Sequence, residues 1–354
     1  MKAAVLNDNN FIIKDIEKPI LEEKGAIIKI YGCGLCGSDI VKIRMGVAKN
    51  GAVLGHEVVG EIIEIDSNTN FEIGDRVALG HHIPCFSCEY CWDESYSMCE
   101  HFKKTNIFPG GFAEYIFVSE EHLKNTTFKI DDDLTDIEAS FLEPLSCCIR
   151  AIKRANLKDN SKSLVIGLGS IGIIMGAGIK AFRHKVYGCD ILKERVELSK
   201  NYGFDDSFTI ENENNFIEQI KKIAPLGFDR IFLTAGSDKA LNIAQKAIRL
   251  GGTIIVFSSI KTQDGFTNND IYFKEYTIMG SYSPSPMDLE DSMKLIENKL
   301  VKVDGLSTEY NIEDLNKAIE DTLSNKIMKA YIKLWKWMQY NFTNQKISNT
   351  NKLK

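Results

Sequence analysis

The pattern of apolar and polar positions divides the chain into two kinds of segment. In the first, to about residue 80, short β-branched runs alternate with polar and glycine-containing stretches. Ala26–Ile30 and Glu61–Ile65 have strand length, and Ile73–Val77 carries a turn into another strand. Gly110–Val118 predicts a further strand. Ile137–Leu142 reads as a helix leading into Glu143-Pro144-Leu145. Proline disfavours the α region in the residue before it, so this helix is expected to stop or kink at Glu143 and aim its carboxylate into a cleft.

From Ser146 onward helices and strands alternate. Ser163–Ile166 is a short apolar strand, followed by Gly167-Leu168-Gly169-Ser170-Ile171-Gly172 and an apolar helix to about Phe182. Val186–Cys189 is the next strand and ends at Asp190. Phe228–Leu233 and Thr253–Phe257 read as buried parallel strands with a helix, Ala240–Leu250, between them. Tyr276–Gly280 reads as the last strand of this unit. Ser285-Pro286 is a helix start, with serine as N-cap and proline in the first turn. Ile312, Leu315, Ile319 and Leu323 mark an amphipathic helix, and Lys329–Leu334 a closing strand. The chain after Trp337 is polar, and its last ten or so residues are expected to be mobile. Trp335, Trp337, Tyr340 and Phe342 are expected to cover the chain's own core.

Three motifs carry chemistry. Gly34-Leu35-Cys36-Gly37-Ser38-Asp39 and Gly55-His56-Glu57 together offer a thiol, an imidazole and two carboxylates, a donor set suited to zinc. A buried thiol and a hydrogen-bonded core histidine would be the alternative. Neighbouring residues of an extended chain point to opposite sides, so His56 and Glu57 can share one metal only if the backbone kinks at Gly55. Cys85, Cys88, Cys91 and Cys99 have the spacing C-x2-C-x2-C-x7-C, which can enclose one tetrahedral zinc. An iron–sulfur cluster or unliganded thiols are the other readings. His81, His82 and His101 flank this segment and are read as surface or hydrogen-bonded residues. The glycine run between strand and helix, with Asp190 eighteen residues beyond Gly172, has the context of a dinucleotide fingerprint. Asp190 would accept hydrogen bonds from the ribose hydroxyls.

Length and composition narrow this picture. A chain of 354 residues suggests two domains. The net charge of −6 argues against nucleic acid as a partner. No apolar run is long enough to span a bilayer, and the N-terminus turns polar too early for a signal peptide. Nine cysteines, an odd number with four crowded together, fit metal ligands and spare thiols in the cytoplasm.

These pieces, in this order, resemble the zinc-dependent medium-chain dehydrogenases, from Met1 to about Leu334. Glu143-Pro144-Leu145 points to their sorbitol, or polyol and sugar, dehydrogenase branch. The resemblance implies an α/β fold: a β-rich GroES-like catalytic domain, residues 1–144 and 282–354, and a Rossmann doubly wound parallel-sheet coenzyme domain, residues 145–281. It implies Cys36, His56, Glu57 and Glu143 at a catalytic zinc, Glu143 directly or through a water, and Cys85, Cys88, Cys91 and Cys99 at a structural zinc. Ser38 matches the hydroxyl that relays the substrate proton, and Asp39 the residue that orients the ligating imidazole. The glycine run Gly167–Gly172, Asp190 and Arg195 match the NAD site. The expected reaction is reversible oxidation of a secondary hydroxyl of a polyol, sugar, cyclitol or sugar phosphate to a ketone, by a homodimer or homotetramer; the alternatives are a zinc alcohol dehydrogenase acting on simple alcohols and a non-catalytic nucleotide-binding relative. One departure concerns the proton exit: the histidine that many relatives carry after the Ser-Asp pair is missing from Ile40–Ile43.

Overall fold

The β-branched runs of the first third assemble into one mixed sheet around the strand Gly25–Gly34. The structure is a computed structural model and describes residues 1–258 and 265–335. The sheet order is Ser307–Asn311, Lys329–Lys333, Gly25–Gly34, Glu57–Asp66, Arg76–Leu79, Thr127–Lys129, with Tyr115–Ser119 also on Gly25–Gly34. The central strand is long enough to serve two partners on one edge. Its first half pairs antiparallel with Tyr115–Ser119, from Gly25 opposite Ser119 to Lys29 opposite Tyr115. Its last three residues pair with the returning strand, Gly34 opposite Tyr331. The end of the described chain thus closes the sheet beside the Cys36 loop. Trp335 seals this edge: its Nε1 donates to Ile30 O at 2.8 Å, and its ring meets Tyr115 edge-on. The expectations for Trp337, Tyr340, Phe342 and the last ten residues lie outside the described residues.

The second sheet has six strands, all parallel, in the order Asp206–Thr209, Lys185–Asp190, Lys162–Ile166, Phe228–Leu233, Ile248–Val256, Thr277–Gly280. Its apolar strands are covered by helices on both sides, as a parallel sheet requires. Phe232, Ile255 and Val165 pack in the core shared with the helices Leu142–Arg154 and Ser170–Ala181; Ile231, Ile254 and Leu164 pack in the core of the opposite face. Alternate residues of each strand therefore feed different cores. The doubly wound parallel sheet beside a β-rich unit is the expected fold class.

Several local expectations change. Pro144 does not end a helix. The helix Asp136–Ala139 stops earlier, at Ser140, and a new one, Leu142–Arg154, begins with Glu143 and Pro144 in its first turn. Backbone N–H groups there have no helical partner to lose, so proline is tolerated. The helix expected over Ala240–Leu250 runs from Asp238 to Ala247, and Ile248 already belongs to the next strand. An apolar run does not show by itself where one element passes to the other. The helix Gly37–Arg44 and the short helices Glu89–Trp92 and Glu100–Lys104 of the cysteine segment have no counterpart in the sequence reading.

Gly172 shows how tightly the glycine turn is built. A Cβ there would lie 1.8 Å from Gly167 O, which is backbone and cannot swing aside. Gly172→Ala should cost about 1–3 kcal/mol, read as a lower midpoint in urea unfolding; an unchanged midpoint would show that the turn can relax.

Candidate active site

The donors of the first two motifs converge. Cys36 is the N-cap of the helix Gly37–Arg44; its Sγ accepts the Ser38 N–H at 3.5 Å, and Asp39 reaches back to the Cys36 N–H at 3.4 Å. Gly55 takes a φ of +89°, and the strand that follows begins only at Glu57. His56 therefore precedes the pleat rather than alternating with Glu57. Ligand atoms of Cys36, His56 and Glu57 lie within 4.8 Å of one another. Asp39 Oδ1 stands 3.4 Å behind His56 Nδ1. Burial acts to lower the His56 pKa, but the Asp39 carboxylate outweighs it and holds it well above the ordinary value. In the metal-free chain the imidazole therefore carries a proton that a metal has to displace.

Glu143 stands outside this three-donor group. It is buried in the first turn of its helix, and Oε1 accepts from Cys147 Sγ at 3.5 Å. Burial raises its pKa; His56 opposes that and Glu57 adds to it, so both are near enough to act on its charge. Ser38 is exposed on the first helical turn.

One residue of this site was not anticipated. Lys329, at the start of the returning strand, is 4% exposed, and its Nζ lies 2.5 Å from Glu57 Oε2, whose side chain is fully buried. Nζ also donates to Leu35 O at 3.3 Å. Burial lowers the lysine pKa, but Glu57 more than compensates and the net shift is upward. Glu57 Oε1 has no hydrogen-bond partner among the described residues. Gly34 makes room for this carboxylate: a Cβ there would lie 1.9 Å from Glu57 Oε2. The sequence shows only a lysine at the head of a strand, and nothing local signals its partner far upstream. His81, expected at the surface or hydrogen-bonded, is buried, and its ring meets those of His56 at 4.6 Å and His82 at 4.0 Å in tilted contacts.

The four cysteines form a second cluster. Cys85–Cys91, Cys88–Cys91 and Cys99–Cys85 sulfur distances are 3.9, 3.6 and 3.5 Å. Four thiolates around one zinc at 2.3 Å would stand about 3.8 Å apart, so the cluster has the dimensions of a closed shell. Hydrogen bonds from Ser87 bring the Cys85 thiol down to about 6, whereas burial pushes Cys91 up to about 12. A cation is what would bring all four to the thiolate.

The glycine loop lines a cavity of about 370 Å³ with Asp190 and Arg195. Gly167 has a φ of +97°. A Cβ on Gly169 would meet only Arg195 Nη1, at 3.9 Å, so this glycine faces open space where a phosphate can approach. Leu168 does not line the cavity. Its side chain is in the core and its N–H donates to Asp190 Oδ2 at 2.7 Å. Arg195 Nη1 is 3.6 Å from the same oxygen, and Nη2 donates to Asn325 Oδ1 at 2.7 Å. Thr322, Ile327 and Met328 supply another wall, from a segment that the fingerprint does not mark.

Residues 22–128 match the alcohol dehydrogenase GroES-like domain, and residues 170–298 match the zinc-binding dehydrogenase model. The chain belongs to the zinc-dependent medium-chain dehydrogenases. It resembles their sorbitol dehydrogenase branch, and it is an oxidoreductase of alcohols or polyols. It is 29% identical to a sorbitol dehydrogenase of Bacillus subtilis over 94% of this chain and 97% of that one. It is 28% identical to D-xylulose reductase A of Aspergillus oryzae over 90% and 93%. In fold it is similar to the alcohol dehydrogenase TADH from Thermus sp. ATN1, with a TM-score of 0.84, 21% identity, and coverage of 95% and 100%. It is also similar to galactitol-1-phosphate dehydrogenase from Escherichia coli, with 0.83, 24%, and 94% and 100%.

Both donor clusters of this medium-chain dehydrogenase fit the family's metal. One is a four-sulfur shell; the other is a mixed set with a buried carboxylate oxygen that lacks a hydrogen bond. Lys329→Met should separate the roles of protein and metal in holding Glu57. Without metal it leaves a buried carboxylate uncompensated, at a cost of about 3–5 kcal/mol. With zinc bound beside Glu57 the loss should be smaller. Urea unfolding with and without a chelator measures both; equal losses would show that the zinc charge does not reach Glu57.

Proposed function

We propose that the chain catalyses reversible, NAD-linked oxidation of a secondary hydroxyl of a polyol, sugar, cyclitol or sugar phosphate to a ketone. The observation that carries this reading is a pair of buried carboxylates: Glu57 beside Cys36 and His56, and Glu143 close enough to feel the charges of His56 and Glu57. Simple-alcohol enzymes of the family place a second thiol near the position of Glu143. Relatives bearing the names sorbitol dehydrogenase and D-xylulose reductase support a polyol as the substrate class.

The oxidation takes a proton from the substrate oxygen and a hydride from the adjoining carbon. When bound, zinc would supply a Lewis acid at that oxygen, and NAD the hydride acceptor. Cys36, His56 and Glu57 would hold the metal, with Glu143 directly or through a water. Asp39 keeps the His56 ring in one orientation. Ser38 takes the substrate proton at its exposed hydroxyl and passes it to solvent; no histidine follows it in Ile40–Ile43. Glu143 accepts hydrogen bonds from hydroxyls next to the reacting one. A site built to bond those hydroxyls discriminates against substrates that lack them, because its own buried groups would stay unpaired.

We place the enzyme in the cytoplasm, where its nine free cysteines stay reduced. Among the described residues no helix is long and apolar enough to cross a membrane. Assembly as a homodimer or homotetramer belongs to the same proposal; the strand Thr277–Gly280 leaves one edge of the parallel sheet unpaired among the described residues.

Glu143→Ala should lower kcat/KM on the best polyol by about 10–100-fold and leave the Kd for NAD unchanged. The unaltered enzyme should turn over propan-2-ol poorly; efficient oxidation of propan-2-ol, with no gain from vicinal hydroxyls, would remove the polyol assignment. NAD should be preferred over NADP by more than about tenfold in kcat/KM, because Asp190 repels a 2′-phosphate. Arg195, beside Asp190, is the cation placed to receive that phosphate, and Asp190 and Asn325 already hold it; Lys239 lines the same cavity. Equal values for the two coenzymes would mean that Arg195 leaves these partners.

A further inference from the structure

A second cavity, of about 480 Å³, lies beyond the carboxyl ends of the strands Ile248–Val256 and Thr277–Gly280. The coenzyme cavity opens on the same edge of the parallel sheet, at Gly167, Asp190 and Thr234. Ligands of parallel α/β sheets gather at this edge. The polar part of the lining of this second cavity is cationic and hydroxylic, with Arg150, Arg154, Ser95, Ser97, Ser258 and Ser281; the rest of the lining is apolar and aromatic.

Among the described residues, the ion pairs of this region leave one cation without a partner. Arg150 is buried; its Nη2 donates to Glu94 O at 3.1 Å, and its Nη1 is 3.8 Å from Asp288 Oδ2. Asp288 is already heavily used. Lys153 Nζ is 2.8 Å from its Oδ1, and Ser285 donates to Oδ2 from both N and Oγ, at 2.9 and 2.6 Å. Lys153 also pairs with Asp291 at 2.7 Å. Asp288 and Asp291 thus answer Arg150 and Lys153. Arg154 is left over, with no ion pair or hydrogen bond among the described residues. Burial lowers the Arg150 pKa, Asp288 opposes this, and the Arg154 charge lowers it further. Two guanidinium groups on one cavity wall, one of them unanswered, favour an anion between them. Ser281 Oγ adds a buried hydroxyl without a hydrogen-bond partner.

The helix Leu142–Arg154 ties this cavity to the candidate active site. Glu143, Arg150 and Arg154 are seven and eleven residues apart, so they share one helical face. Arg150 lies about 10 Å along the axis from Glu143. Long side chains on a helix lean toward its N-terminus, here toward Glu143. We propose that this cavity receives a phosphate carried at the far end of the substrate, with Arg150, Arg154 and Ser281 as its ligands. The inference rests on the polyol reading above and narrows it to phosphorylated polyols or sugars. Arginine suits this role because its planar fork matches phosphate oxygens two at a time.

The test uses the zinc-loaded full chain and two exposures. First, inorganic phosphate should raise the thermal midpoint of the unaltered protein, and Arg154→Gln should abolish most of that shift. Arg154 is exposed, so the variant should fold; Ser281→Ala serves as a second, milder variant. Second, the ratio of kcat/KM for a polyol phosphate to that for the same polyol should exceed one. That ratio should fall about tenfold in Arg154→Gln, as expected for loss of one charged hydrogen bond. No phosphate-induced shift, or a shift that survives Arg154→Gln, would overturn the site. Phosphate that binds through Arg154 but does not compete with the polyol phosphate would overturn its assignment to the substrate. If phosphate binds through Arg154 while no polyol of either kind is oxidised, the reading of the reaction falls and the oxyanion site stands.

Discussion

The buried pair of Lys329 and Glu57 is the contact on which the site's architecture turns. Both side chains are removed from water, and their charges meet at 2.5 Å inside the mixed sheet. A buried ion pair of this kind contributes little net stability, but removing one member leaves a charge stranded. Its value here is positional. It fixes the head of the returning strand against the strand that starts at Glu57, over the space that Gly34 leaves open. The segment just before Lys329 is thereby placed as well. Asn325 reaches Arg195, and Ile327 and Met328 wall the nucleotide cavity. One short segment, 325–329, thus touches both the donor cluster and the coenzyme groove.

The helix Leu142–Arg154 plays the complementary part. It packs against the helices Ser170–Ala181 and Pro286–Glu297, and its first turn carries the buried Glu143. Ser292 donates to Leu142 O at 2.9 Å, which fixes the helix start from the far side. The position of Glu143 is therefore set by helix packing, while Cys147 in the next turn donates to its carboxylate. Asp39 behind His56 and the Cys36 cap show the same economy on a smaller scale: the groups that build the helix start also aim the donors.

Glycines mark where backbone must yield to chemistry. Gly55 turns the chain so that His56 and Glu57 share one side, Gly34 admits a carboxylate, and Gly169 leaves space for a phosphate. In the first two cases the strained or crowded geometry belongs to the protein itself. In the third the protein does not need the glycine for its own packing, which is the mark expected of a ligand's place.

Much of this was legible in the chain alone. The fingerprint from Gly167 to Asp190, the spacing of the four cysteines, and the two short donor motifs are local patterns whose chemistry depends on residues near in sequence. The β-branched runs and alternating apolar segments likewise announced the two sheets. The sequence could not decide where Glu143 would stand, because Pro144 is equally compatible with the end of one helix and the first turn of the next. Nor could it decide that the His81 ring would lie against His56, or that Leu168 would turn into the core. Lys329 and Asn325 acquire their roles only when the last strand pairs with Gly25–Gly34 and brings positions about three hundred residues apart into contact. Such partnerships leave no local periodicity or motif; burial in a shared core creates them, and only the tertiary structure supplies it.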